Sequence, residues 1–401
     1  MVDVRVISNK ERVNSVRVRP LSYKITPDCV GDTVTFSLSR PRNLSVEVNG
    51  DIFHNLHLFA NPIDKFRPSD KEIQRALKKK KGSNLIYFGP GVHNLPNDTL
   101  FVPSGTTVYI DGGARVYGNI FTEGAHDVNI FGRGEVHPDG RGAGVWVRRS
   151  KNVRIDGIVV SQLPIGQCDS VELTNVKSIS YYGWGDGMDV FSSSNVILDG
   201  VFCRNSDDCA AVYASTQGFK GGSNNVLVKN ATLWADVAHP INIGGHGDPN
   251  GMDTVQNVTF RNIDILDQAE KQIDYQGCLA INPGDNTLVR NITFENIRIE
   301  DFRNGQLVNF RISFNPKYCV STGRGIQNVL VKDVTYNGSG ENLSIIAGYD
   351  ENHKISGIRF VNLVVNGRKI TDDMPGKPKW YKTGDMAGIF IGEHVENISF
   401  E

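Results

Sequence analysis

Apolar and polar residues alternate with period two through the first sixty or so positions, as at Val16 and Val18, then Val34, Phe36 and Leu38, then Leu44, Val46 and Val48. Such runs are apolar on one side and polar on the other, as in strands that pack on a core and face water. Asn49-Gly50 follows the third run as a type I′ turn signal, and Ile52 and Phe53 begin the return. The pattern predicts a small antiparallel β-sandwich over residues 1–62. Residues 69–82 (SDKEIQRALKKKKG) break the period and predict one short helix inside a linker, 63–84. Ser69 and Glu72 have capping-box spacing, and Gly82 supplies the stop. The run Lys78 to Lys81 lies at the negative end of the helix dipole, where cations are stabilising.

From residue 85 to 401 the chain repeats. An Asn followed by Val or Ile recurs at Asn129, Asn152, Asn175, Asn195, Asn225, Asn257, Asn291, Asn328 and Asn397. Each marker opens a short apolar alternation, such as NVTFRNIDI from Asn257 and NITFENIRI from Asn291. The first spacings are 23, 23 and 20 residues, too short for propeller blades of about 40–50 residues. They fit a solenoid in which each winding adds one strand to several parallel sheets, about 4.8 Å above the last. The predicted fold class is all-β: a right-handed parallel β-helix of roughly ten coils behind a small N-terminal β-sandwich. Asn and Gly take the bends, where positive φ is tolerated.

Charge and cysteine content exclude several functions. Lys and Arg number 43 against 44 Asp and Glu, so no bulk field favours nucleic acid or an acidic membrane. No apolar run approaches the roughly 18 residues of a membrane helix. Six cysteines (Cys29, Cys168, Cys203, Cys209, Cys278, Cys319) include no CxxC pair, which predicts buried free thiols, no structural metal and no cofactor. The opening MVDVRVISNK carries no basic-then-apolar leader, so the expectation is a secreted or periplasmic protein whose leader was removed, or a cytoplasmic one. The oligomeric state stays open.

Candidate chemistry gathers in residues 181–215. Asp186 stands between two glycines, and Asp207-Asp208 follow 21 and 22 residues later. That is close to one coil, so the three carboxylates should stack on one sheet. His239 follows on the next coil, with His246 and Asp248 beyond it. Crowded carboxylates repel, and at least one should hold a proton near neutral pH. A protonated acid beside an ionised one is what glycoside hydrolysis needs. Tyr182, Trp184 and Tyr213 offer flat faces for a sugar ring. His246 and Lys271 complete the candidate substrate contacts. Asp189 reads as structural, with a role in place of Asp186 if the register differs by three.

The segment resembles the polygalacturonase-type glycoside hydrolases of family 28 and, more distantly, the dextranases and isopullulanases of family 49. Where family 28 carries Asn-Thr-Asp-Gly, Asp-Asp and Gly-His-Gly, this chain has Trp184-Gly185-Asp186-Gly187, Asp207-Asp208 and Ala238-His239-Pro240. LHLFANP (56–62), YFGPGVH (87–93) and VYIDGGARVYG (108–118) look like the cap-to-helix segments of these enzymes, and the likeness spans about residues 40–365. The resemblance implies the pectin-lyase-like solenoid and an inverting mechanism without a metal. Asp207 would be the general acid, Asp186 and Asp208 would hold and activate water, and His239 would support the acid's protonation.

Two departures stand out. The family's Arg-Ile-Lys triplet is missing from Gly277–Asp285 (GCLAINPGD), leaving only Lys271, Arg290 and Arg311 in the neighbourhood. A uronate carboxylate calls for a cation, so a neutral or differently decorated glycan fits better than homogalacturonan. Trp184 and Gly185 also rebuild the subsite beside the acid. The expected activity is therefore glycosidic cleavage of a pectin-related or neutral α-glucan-like polysaccharide or oligosaccharide. The alternatives are a polysaccharide lyase and a non-catalytic glycan-binding β-helix.

Overall fold

The alternating runs near the N-terminus form two three-stranded antiparallel sheets. One joins Val2–Ile7, Thr33–Leu38 and Asp28–Val30; the other joins Val16–Arg19, Arg42–Val48 and Leu56–Ala60. Their apolar positions, among them Val18, Val34, Phe36, Leu44 and Val46, form one buried cluster. Asn49 and Gly50 take positive φ as a turn requires. The return strand starts at Leu56, however, because Asn49 Oδ1 accepts the Asn14 and Ser15 amides and Ile52 and Phe53 stay in the loop. The computed structural model describes all 401 residues except 10, 79–81, 139 and 340, and the chain divides into two compact units, Met1–Lys65 and Phe66–Glu401.

The predicted helix forms within the second unit as Asp70–Leu77. Ser69 and Glu72 make the reciprocal capping box, with the Ser69 amide donating to Glu72 Oε2 at 2.8 Å. It ends at Lys78, earlier than Gly82; Lys79 to Lys81 lie outside the described residues.

Beyond the helix the chain winds into a parallel β-helix. One interior column shows the stacking: Ile86, Val108, Ile130, Ile155, Leu173, Leu198, Val228, Phe260, Phe294, Val331, Phe360 and Phe400 pair winding upon winding. Each is a branched or aromatic side chain facing the bore, so the column is a continuous dry core. Asparagines make the corners. Asn225 Nδ2 donates to Asn195 Oδ1 at 2.7 Å, and Asn291 to Asn257 at 3.1 Å, while Asn230 and Asn262 form a second ladder with a 2.7 Å bond. All of these corner residues have φ near +55°. Two of the sequence markers sit elsewhere than the repeat implied. The first-corner residue of its winding is Asp127 rather than Asn129, and Asn175 belongs to the second corner. A period of 23 therefore mixed two corners.

The cysteine expectation needs one correction. Cys168, Cys203, Cys209 and Cys278 are buried free thiols, but Cys29 is exposed and Cys319 half-buried. Among the described residues, no helix is long and apolar enough to cross a membrane.

Candidate active site

Three consecutive windings deliver the catalytic candidates. Asp186 precedes the strand Val190–Phe191, Asp207 and Asp208 precede Ala210–Tyr213, and His239 precedes Ile241–Ile243. Val190 pairs with Val212 and Ala210 with Ile241, so Asp186, Asp208 and His239 share one position on successive coils. Backbone bonds extend this register, with Gly187 N donating to Asp208 O at 2.7 Å and Cys209 N to His239 O at 2.8 Å. Only glycine fits at 187, since a Cβ there would lie 2.2 Å from the Cys209 carbonyl oxygen. Asn205 braces the loop by donating to the Asp186 carbonyl at 3.1 Å. One carboxylate oxygen from each of Asp186, Asp207 and Asp208 lies within 4.8 Å of the others.

The three acids differ in what surrounds them. Asp208 is 3% exposed and saturated with donors. Its Oδ1 accepts the His239 amide (3.0 Å) and faces His239 Nδ1 (2.7 Å), while Oδ2 accepts Tyr213 Oη (2.6 Å) and Asn242 Nδ2 (2.8 Å). Burial alone would raise its pKa, but the His239 charge and these hydrogen bonds prevail and bring it below the usual carboxylate range. Asp207 has one close donor, the Asp208 amide at 3.0 Å. Burial, then repulsion from Asp208, pushes Asp207 up to about 7. Burial, then the charges of Asp207 and Asp208, carries Asp186 well above its ordinary value.

His239 is bound to Asp208 rather than to Asp207. Its charge lowers the pKa of Asp207. It is fully buried, with Nε2 lacking a hydrogen-bond partner and the ring set edge-on to Tyr275 at 4.6 Å. Burial would lower its pKa, but Asp208 outweighs this and raises it.

These groups line a cleft of about 630 Å³. Tyr182 and Trp184 form part of one wall. Tyr182 Oη donates to the Gly142 carbonyl at 2.6 Å, and Gln162 Nε2 donates to the Trp184 carbonyl at 2.9 Å. Trp184, at φ +62°, leaves its side chain 66% exposed beside Asp186. Tyr213 also lines the cleft; it is buried, and its hydroxyl donates to Asp208. His246 stands edge-on to Tyr213 at 5.0 Å, and burial holds its pKa below the usual imidazole value. Lys271 is exposed and lies outside the lining; among the described residues the cation that lines the cleft is Lys317.

Several lining groups escaped the sequence reading. Asp189, read as structural, is buried with an unpartnered Oδ1 and opens on the cleft. Burial, then Asp186 and Asp208, raises its pKa strongly. Its alternation with Phe191 on one strand was the available signal. Asn242, whose amide spans Asp208, Tyr213 and Tyr275, lies three residues after His239. Glu270, Gln272, Tyr275 and Tyr318 come from insertions with no repeat pattern. Where the family's cationic triplet was sought, Leu279, Ala280 and Ile281 form a fully buried strand. Arg311 is paired with Asp274, and Arg290 bonds Gln256 at 2.8 Å.

The model for glycosyl hydrolases family 28 matches residues 145–374, more than half of the chain. A polygalacturonase from Juniperus ashei is 26% identical over 295 residues, covering 65% of this chain and 54% of the relative. An exopolygalacturonase from Cochliobolus carbonum is 24% identical over 246 residues, covering 53% and 52%. The chain thus spans about half the length of the curated relatives it matches. In fold it is similar to the family 28 exopolygalacturonase of Yersinia enterocolitica (TM-score 0.58, 13% identity, 92% of this chain and 85% of that one). It is also similar to Dex49A of Penicillium minioluteum (TM-score 0.65, 14% identity, 99% and 81%). With the match running from the strand of Trp146 through all three clustered aspartates and His239, the chain belongs to glycosyl hydrolases family 28.

Proposed function

We propose that this chain is a glycoside hydrolase that cleaves a pectin-related or neutral glycan through Asp207 and Asp186. The observation that carries the reading is the gathering of three carboxylates within 4.8 Å of one another, of which Asp208 is saturated with donors while Asp207 is buried with the Asp208 amide as its donor. Asp207, near pH 7, keeps a proton for the departing glycosidic oxygen. Asp208 stays ionised with both oxygens engaged, so its part is to hold charge and to orient. Removing the proton from an attacking water falls to Asp186, whose raised pKa makes it the stronger base once ionised. The acids titrate as a unit, and the productive state carries the proton on Asp207 and none on Asp186.

The cleft's charge favours an uncharged sugar beside the acid. Asp186, Asp189, Asp207, Asp208 and Glu270 face one another there, with Lys317 as the lining cation among the described residues. A uronate would meet repulsion without a bidentate partner. A polymeric substrate would place the enzyme outside the cytoplasm.

Inversion is the stereochemistry that the family resemblance implies. Proton NMR of the first product anomer tests it: an inverted anomer is expected, and a retained one would overturn inversion. The activity itself is tested by incubating wild type and Asp207→Asn with pectic and neutral polysaccharides and analysing products by chromatography. Wild type should release sugars from one of them and Asp207→Asn none; equal release by both would refute the assignment.

A further inference from the structure

The cleft floor belongs to one outward row of a parallel sheet, and that row continues beyond the aspartates as aromatic surface. Phe101 pairs with Phe121, and Phe121 with Trp146. Pro164 and then Asp189 take the same position on the next two windings, each just before the paired residues Ile165 and Val190. The Phe101 and Phe121 rings stack at 5.4 Å between centroids, and those of Phe121 and Trp146 at 6.5 Å. Trp146 itself lines the cleft, so strip and cleft are continuous. At the far end Phe101 is 63% exposed. With about 4.8 Å per winding, the row from Phe101 to Asp189 is roughly 19 Å long, the reach of a short oligosaccharide.

This row faces away from the bore: Trp146 packs at one end against the buried Phe191, Tyr213 and Phe219, while Phe101 at the other lies open to water. An outward aromatic row on a water-facing sheet costs solubility unless something apolar lies along it. The apolar faces of pyranose rings would bury against it. Arg148 lies 5.8 Å from the Phe121 and Trp146 rings and is ion-paired with Glu123 at 3.0 Å, as Arg149 is at 3.1 Å. The strip therefore offers apolar surface beside two guanidiniums that share the Glu123 carboxylate.

We propose that Phe101, Phe121 and Trp146 form an extended subsite holding an uncharged pyranose chain that leads to the aspartates, an inference that rests on the hydrolase reading above. Uncharged chains of this kind come from neutral glucans or from methyl-esterified galacturonan. The test is affinity electrophoresis of Asp207→Asn protein through gels containing dextran, highly methyl-esterified homogalacturonan or de-esterified homogalacturonan. One of the two uncharged polymers should retard it, and which one identifies the source. The combined variant Phe101→Ala, Phe121→Ala, Trp146→Ala should bind at least tenfold more weakly. Phe101→Ala alone, at an exposed site that carries no folding risk, should bind about threefold more weakly. The proposal is overturned if Phe101→Ala binds as its parent does, if the de-esterified polymer is preferred, or if no polymer retards the parent. Turnover by Asp207→Asn at the wild-type rate would sink the hydrolase reading instead, leaving the retardation result to be judged by itself.

Discussion

Asp207 and Asp208 are adjacent in the chain and driven in opposite directions. Burial and its neighbour's charge push Asp207 up to about 7, while His239, Tyr213 and Asn242 hold Asp208 below the usual carboxylate range. The peptide between them turns one side chain toward the cleft and the other into a nest of donors. A single dipeptide so holds one acid with a raised pKa beside one with a lowered pKa.

Asp207→Asn removes a proton donor but also a strained acid. Turnover should fall by at least a thousandfold, read as product release per enzyme. At pH 8 the variant should be more stable than wild type by on the order of 1–3 kcal/mol, because wild type must ionise a buried group there. Thermal melting at pH 5 and pH 8 checks it, and the gain should shrink at pH 5.

The cluster sets a direction for wild-type stability as well. Asp186, Asp189 and Asp207 have folded pKa values above the ordinary 3.8, so the native state binds more protons than the unfolded chain above pH 4. Stability should decline as pH rises from about 4 through the folded values, about 7 for Asp207. His239, also raised, adds stability below pH 6.5 that is lost as pH climbs through its folded value. Asp208 opposes this only at the acid end, where its stabilisation disappears as pH falls through its lowered pKa. Melting temperatures should thus be higher at pH 5 than at pH 8, and activity should fall above pH 7 as Asp207 loses its proton.

Asn242→Ala takes one donor from Asp208 and leaves three. It should cost about 1–3 kcal/mol and raise the pKa of Asp208, so that the acid-side loss of stability, which follows protonation of Asp208, begins at a higher pH than in wild type. Melting temperatures of both proteins across the acid range check it: a residue that only packs would lower the melting temperature by the same amount at every pH.

Gly187→Ala places a methyl group 2.2 Å from the Cys209 carbonyl oxygen, which is backbone and has little freedom to yield. The two windings that carry Asp186 and Asp208 would be forced apart. Activity should drop by at least a hundredfold, with a thermal destabilisation of about 1–3 kcal/mol. A corner change such as Asn257→Ala, which loses ladder bonds to Asn224 and Asn291, should cost about 1–2 kcal/mol and leave kcat unchanged.

Much of this protein was readable in one dimension. A solenoid is a local repeat: each winding packs only on its neighbours, so alternation and recurring Asn-Val or Asn-Ile pairs announce the sheets and their corners. The 21-residue interval between Asp186 and Asp207 foretold their meeting for the same reason. Folding alone decided which protons those carboxylates keep, because that depends on burial and on donors from three coils. It also drew Asp189 to the floor, gave His239 to Asp208, committed Tyr213's hydroxyl, and chose Lys317 over Lys271. Those choices rest on insertions such as 267–276, which follow no period and whose side chains acquire their neighbours only when the chain is wound.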